Sequence, residues 1–121
     1  MTTRDRTRVL LLEDDPSALE ASSLYLSHLG YEVSAVATAD DAMRDAGENP
    51  PDVVVCDWQL GAGANGVDVA RELQRQFAMP LVFMTAYPID ELREAAADLD
   101  VACFLKKPLS LPILADAIGK L

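Results

Sequence analysis

Four short apolar runs of this chain lead directly into residues able to do chemistry. Glu13, Asp14 and Asp15 follow Val9 to Leu12, Asp57 follows Val53 to Cys56, and Thr85 follows Leu81 to Met84; Lys106 and Lys107 precede Pro108 after Val101 to Leu105. Carboxylates gathered in one place repel one another, and a hard divalent cation with oxygen ligands relieves that repulsion; Mg2+ keeping several waters suits few carboxylates best. Such a site is commonly completed by phosphate oxygens. An Asp carboxylate is itself a nucleophile toward phosphorus, and an ammonium and a hydroxyl beside it would neutralise charge on the phosphoryl oxygens. Asp57 is the best candidate nucleophile, because it ends the most apolar run, whereas three adjacent acids are better suited to holding metal. Each residue also has a plainer use: a lone acid caps a helix, a Thr forms a turn, and Lys-Lys-Pro makes a solvated turn. Only their joint occurrence points to phosphoryl chemistry, and it does so only if the fold brings the run ends together.

The elements that must do this are legible from periodicity. These four runs, of which Val101 to Leu105 is the weakest, read together with Glu32 to Val36 as five strands. Val53 to Cys56 lacks any polar alternation, as expected of a central strand covered on both faces. Asp15 before Pro16 predicts the N-cap of a first helix with Ala21, Leu24, Tyr25 and Leu29 as its inward stripe and Gly30 as terminator. Thr38-Ala39-Asp40-Asp41 opens a second helix that ends before Asn49-Pro50-Pro51, and a third runs from about Gly66 to Gln76. The fourth, near Ile89 to Leu99, is alanine-rich and short of large anchors, so its docking is expected to shift with ligand state. Leu111, Leu114, Ala115 and Ile118 form the stripe of a fifth. Alternation of strand and helix with short connections specifies an α/β fold, a parallel sheet with right-handed crossovers and ligands beyond the carboxyl ends of the strands.

At 121 residues the chain suits one domain, over residues 1–121 with its core from about residue 8, and it can bury a core without metal or disulfides. Its formal charge of −10 repels phosphate backbones and anionic lipid, so direct nucleic-acid or membrane binding is not expected. Arg4, Arg6 and Arg8 read as a solvated tail. Cys56 and Cys103 sit in apolar runs and suit a reducing compartment, and His28 alone cannot build a zinc site. No apolar run reaches the roughly 18 residues of a membrane helix, and the first residues lack a secretory signal's apolar segment. A cytoplasmic location follows as an expectation.

From Val9 to Leu121 the sequence resembles the receiver domain of two-component response regulators. The resemblance is carried by Val9 to Pro16 (VLLLEDDP), Pro51 to Leu60 (PDVVVCDWQL), Asn65-Gly66, Pro80 to Ala86 (PLVFMTA) and Phe104 to Pro108 (FLKKP). It implies a (βα)5 doubly wound sheet of flavodoxin-like order 2-1-3-4-5, which places Glu13 and Asp14 beside Asp57. It implies that Asp57 is the phosphoacceptor and Asp14 a direct Mg2+ ligand. Glu13 then reaches the metal through water, and Gln59 contributes its backbone carbonyl. Thr85 is implied as the switch hydroxyl, Lys107 as the phosphate-binding lysine, often before a cis proline bond, and Phe104 as the aromatic switch, with a plain core role open. Lys106 is then the exposed neighbour. The implied donor is a histidine kinase or histidine phosphotransfer protein, the output a contact with a downstream protein target, and a phosphorylation-dependent homodimer is one assembly the resemblance allows.

The segment Gly61 to Gly66 departs from the family pattern: it is one residue longer, has no proline, and its glycines imply a freer loop. Trp58 beside Asp57 is a natural fluorescence reporter, and Tyr87 and Gln59 stand where the family tunes access of hydrolytic water. A Mg2+-dependent aspartyl-phosphate phosphatase would show Asp-x-Asp at the nucleophile, and Gln59 holds the second position here. An alternative reading, a receiver-like module acting without phosphorylation, normally goes with loss of the acceptor, acid or lysine. All of these are present. No output domain is expected within these residues, and a stand-alone regulator and a receiver excised from a hybrid kinase or multidomain regulator both remain open.

Overall fold

The computed structural model describes residues 6–121. Five strands alternate with five helices: β1 Arg8–Leu12, α1 Pro16–His28, β2 Glu32–Val36, α2 Ala39–Glu48, β3 Val53–Asp57, α3 Gly66–Gln76, β4 Leu81–Thr85, α4 Ile89–Ala95, β5 Val101–Lys106 and α5 Leu111–Gly119, with a single 3-10 turn at Gly61–Gly63. All strand pairs are parallel, in the order β2-β1-β3-β4-β5. β3 takes the centre and is buried at every residue, which is why its sequence shows no alternation.

Period-two alternation sorts the core into two layers. Leu10, Leu12, Val54, Cys56, Leu81 and Phe83 point to one face and meet Ala42 and Ala46 of α2, Val67, Ala70 and Leu73 of α3 and Leu92 of α4. Val9, Leu11, Val53, Val55, Val82 and Met84 point to the other and meet Leu26 of α1 and Leu114 and Ile118 of α5. Local signals hold the helix ends. Thr38 Oγ1 accepts from the Asp41 amide at 3.1 Å, Asn65 Oδ1 from Val67 at 2.8 Å, and Ser110 Oγ from Ile113 at 3.4 Å. Gly30, at φ +100°, ends α1 with its amide on the Ser27 carbonyl and that of Tyr31 on Leu26.

Four sequence expectations are corrected. Of the expected inward stripe of α1, Tyr25 packs inward but Ala21, Leu24 and Leu29 do not: Leu24 is 64% exposed and Leu29 51%, while Leu26 is fully buried with Leu19 and Tyr25 beside it. Leu19, Ser22, Ser23 and Leu26 share the helical spacing, with both serines half-buried. Asp15 occupies the N-cap position of α1, but its carboxylate makes no cap hydrogen bond. The helix α4 stops at Ala95 rather than Leu99: Arg71 Nη2 donates to the Ala95 carbonyl at 3.4 Å, and the Leu99 amide turns to Ala96 instead. Arg8 is no tail residue; it opens β1, donating from its amide to Asp52 at 2.8 Å and from Nε to Glu32 at 3.1 Å. Arg4 lies outside the described residues. Among the described residues no helix is long and apolar enough to cross a membrane.

Candidate functional site

Parallel order brings the carboxyl ends of β1, β3, β4 and β5 to one edge, with β1 and β3 adjacent although another strand and two helices separate them in sequence. Asp57 and Thr85 are the last residues of their strands rather than the first of the loops, Asp57 standing in register with Met84 and Thr85 with Lys106. Ladder hydrogen bonds therefore hold their backbones.

Lys107 sits just past β5 and reaches back across the edge. Its Nζ donates to Asp57 Oδ2 at 2.6 Å and to Glu13 Oε2 at 2.8 Å, charge-assisted bonds to two carboxylates that are 8% and 4% exposed. The other oxygen of Glu13 accepts from the Asp15 amide at 3.1 Å, which fixes that carboxylate on both sides. Asp14 is exposed, and one carboxylate oxygen each from Glu13, Asp14 and Asp57 lie within 4.8 Å of one another. Burial pushes the pKa of Asp57 up to about 6; the neighbouring Glu13 charge adds to the rise and the Lys107 bond opposes it. Burial works against the Lys107 ammonium, but its bonds to Asp57 and Glu13 outweigh that, and its pKa is raised. Burial first, then the charges of Asp57 and Glu13, push the Cys56 thiol far up, so it stays protonated.

The segment after Asp57 is closely fitted. The Trp58 amide donates to the Met84 carbonyl at 2.9 Å, and the Trp58 carbonyl accepts from Gly66 at 2.7 Å. A Cβ on Gly66 would collide with the Asp57 carbonyl oxygen, and one on Gly61 would stand 2.7 Å from Asp14 Oδ2. Exposed Gln59 bridges to Asn65, and the Leu60 amide donates to Ala64 at 3.1 Å, closing the 3-10 turn. Gly66 is therefore required by crowding against the Asp57 backbone and Gly63 by its left-handed φ of +79°, while Gly61 stands where a side chain would press on Asp14.

Thr85 is fully buried, and its hydroxyl is engaged with its own loop: Oγ1 accepts from the Tyr87 amide at 2.9 Å and donates to the Tyr87 carbonyl at 3.4 Å. The Tyr87 ring, half exposed, meets Trp58 edge-on at 6.2 Å. The Trp58 indole N–H is buried without a hydrogen-bond partner among the described residues. Phe104 stacks on Phe83 at 6.3 Å on the α4 side of the sheet, and the Arg93 guanidinium covers it at 4.8 Å. The Lys107–Pro108 bond is cis. Lys106, expected only to be exposed, makes a contact without a signal in the sequence, donating from Nζ to the Ala86 carbonyl at 2.9 Å.

Glu13, Asp14, Asp57, Thr85 and Lys107 thus share one edge, while His28 lies at the far end of α1. A family model of the response regulator receiver domain matches residues 9–119. The chain belongs to that family. The transcriptional regulatory protein KdpE of Mycobacterium tuberculosis is 31% identical over 105 residues, covering 87% of this chain and 46% of that protein. The regulatory protein VanRB of Enterococcus faecalis is 33% identical over 107 residues, covering 88% and 48%. The chain thus spans about half the length of these curated relatives. A CheY-like response regulator receiver domain protein of Methanospirillum hungatei superposes with a TM-score of 0.87 at 20% identity, over 96% of this chain and 93% of that one, a likeness of fold. Receiver domains are signalling switches that hold Mg2+ on acidic residues, and response regulators work with histidine kinases and downstream targets.

Proposed function

We propose that Asp57 accepts a phosphoryl group from a phosphohistidine of a partner protein and that the new anion resets the β4–α4 loop and α4. The observation carrying this is the buried Asp57 carboxylate, 2.6 Å from Lys107 and grouped with Glu13 and Asp14. An Asp57 oxygen attacks phosphorus, the P–N bond to the donor imidazole breaks, its electron pair stays on nitrogen, and an acyl phosphate remains on Asp57. Lys107 transfers its ammonium from the free carboxylate to a phosphoryl oxygen. Thr85 turns its hydroxyl from Tyr87 to another.

The all-oxygen donor set, with one oxygen each of Glu13, Asp14 and Asp57 within 4.8 Å of one another, suits a small hard cation. Glu13, Asp14, Asp57 and the Gln59 carbonyl would hold Mg2+, which supplies positive charge for phosphoryl oxygens that one ammonium cannot balance. A cavity of about 420 Å3 between α1 and the start of α5, lined by Ala18, Ser22, Pro108 and Leu111, opens beside the site and reaches Glu13 and Lys107. Such a switch turns over only its own phosphoryl group, so it is a signalling component and no general phosphatase. The unpaired cysteines suit a reducing cytoplasm.

Trp58 fluorescence during titration with Mg2+ and then beryllofluoride tests this reading. Saturable Mg2+ binding followed by a beryllofluoride response that Asp57→Asn abolishes is expected. Folded protein that responds to neither would refute it, in favour of a constitutive binding module.

A further inference from the structure

We propose that Lys106 is a positioning residue that holds the β4–α4 loop in the unphosphorylated arrangement and so opposes switching; this rests on the acceptor reading of Asp57. Lys106 and Thr85 are register partners at the ends of neighbouring strands, and they tether consecutive residues of one loop. Lys106 Nζ holds the Ala86 carbonyl at 2.9 Å, and Thr85 Oγ1 holds the amide and carbonyl of Tyr87. The helix that follows depends on these tethers at one end only. Pro88, the N-cap of α4, provides no side-chain cap, whereas beyond its other end Arg71 of α3 binds Asp98 at 2.8 and 3.0 Å and reaches the Ala95 carbonyl.

A Thr85 hydroxyl that turns to a phosphoryl oxygen must release Tyr87, so Thr85 cannot fix the loop in both states. Lys106 does not touch Asp57 in this arrangement, and its bond to Ala86 resists the same loop movement. Removing that bond lowers the free energy of the released loop relative to the held one, and any ligand that binds the released state then binds more tightly. One hydrogen bond of this kind shifts such an equilibrium about two- to tenfold. Lys106→Met keeps the aliphatic stem and removes the donor. It also removes a positive charge near an anionic adduct, which by itself would weaken binding, so the two effects have opposite signs.

The experiment compares wild type, Lys106→Met and Lys106→Arg in two measurements: hydrogen exchange of the Tyr87 amide without phosphoryl mimic, and beryllofluoride affinity with saturating Mg2+. Lys106→Met should exchange Tyr87 faster and bind beryllofluoride about two- to tenfold more tightly. Lys106→Arg, which restores a donor, should return both to wild type, and in a Thr85→Ala background the gain in affinity should vanish. Equal Tyr87 exchange in wild type and Lys106→Met would overturn the tether. Faster exchange with unchanged or weaker beryllofluoride affinity would overturn its coupling to the switch. A wild type that ignores beryllofluoride would count against the acceptor reading, and with it the coupling, while the exchange comparison still decides the tether.

Discussion

Lys107 lies 2.6 Å from Asp57 and 2.8 Å from Glu13, so one ammonium bridges two buried carboxylates delivered by different strands. Removing a single partner from such a group leaves charge buried without compensation, which costs more than the pair contributes net. Lys107→Met should therefore destabilise the protein by about 2–4 kcal/mol at pH 8 in chelator, and by less at pH 5, where Asp57 can take up a proton. Urea unfolding at the two pH values checks this; equal losses at both would contradict it.

Asp57 itself sets a pH dependence. Its folded pKa of about 6 lies above the ordinary 3.8, so between those values the folded state keeps a proton that the unfolded chain has lost. Stability then falls as pH rises through this window: the contribution is complete below the unfolded pKa and gone above the folded one. Without divalent cations, wild type should lose on the order of 1–3 kcal/mol between pH 4 and pH 7 relative to Asp57→Asn, which lacks the titrating group. Parallel unfolding curves for the two proteins across this range would refute the raised value.

Mg2+ should stabilise the folded state, since the unfolded chain does not assemble Glu13, Asp14 and Asp57. At ten times its dissociation constant the gain is about 1.4 kcal/mol, seen as a rise in melting temperature that chelator reverses. Asp14→Asn should remove most of this response while leaving the melting temperature in chelator near that of wild type, because Asp14 is exposed. An Asp14→Asn response equal to wild type would place the cation elsewhere.

The order of strands and helices was legible because apolar periodicity and capping residues are local signals, as at Thr38 and the unbroken Val53 to Cys56 run. The candidate site was legible for a related reason. A parallel sheet puts every strand's carboxyl end on one edge, so residues following β-rich runs are neighbours before any contact is known. What escaped was set by long-range contact. Gln74 gave no sequence signal, yet it donates to the carbonyls of Met79 and Asp100 and accepts from the Asp100 amide, tying α3 to the turn before β5. Gly61 and Gly66 looked merely permissive, and only their closeness to Asp14 and Asp57 gives them a reason. The inward face of α1 was misplaced at Leu24 and Leu29, where the helix docks through Leu19, Tyr25 and Leu26 instead.

The central claim is that Asp57 is the phosphoacceptor, and intact-mass measurement after incubation with Mg2+ and phosphoramidate tests it most directly. That donor presents the same P–N bond as phosphohistidine. Wild type should gain the mass of one phosphoryl group, lose it again on mild base treatment as an acyl phosphate does, and gain nothing when Mg2+ is chelated or Asp57 is replaced by Asn. A folded wild type that gains no mass, or an Asp57→Asn protein that gains as much, would contradict the account.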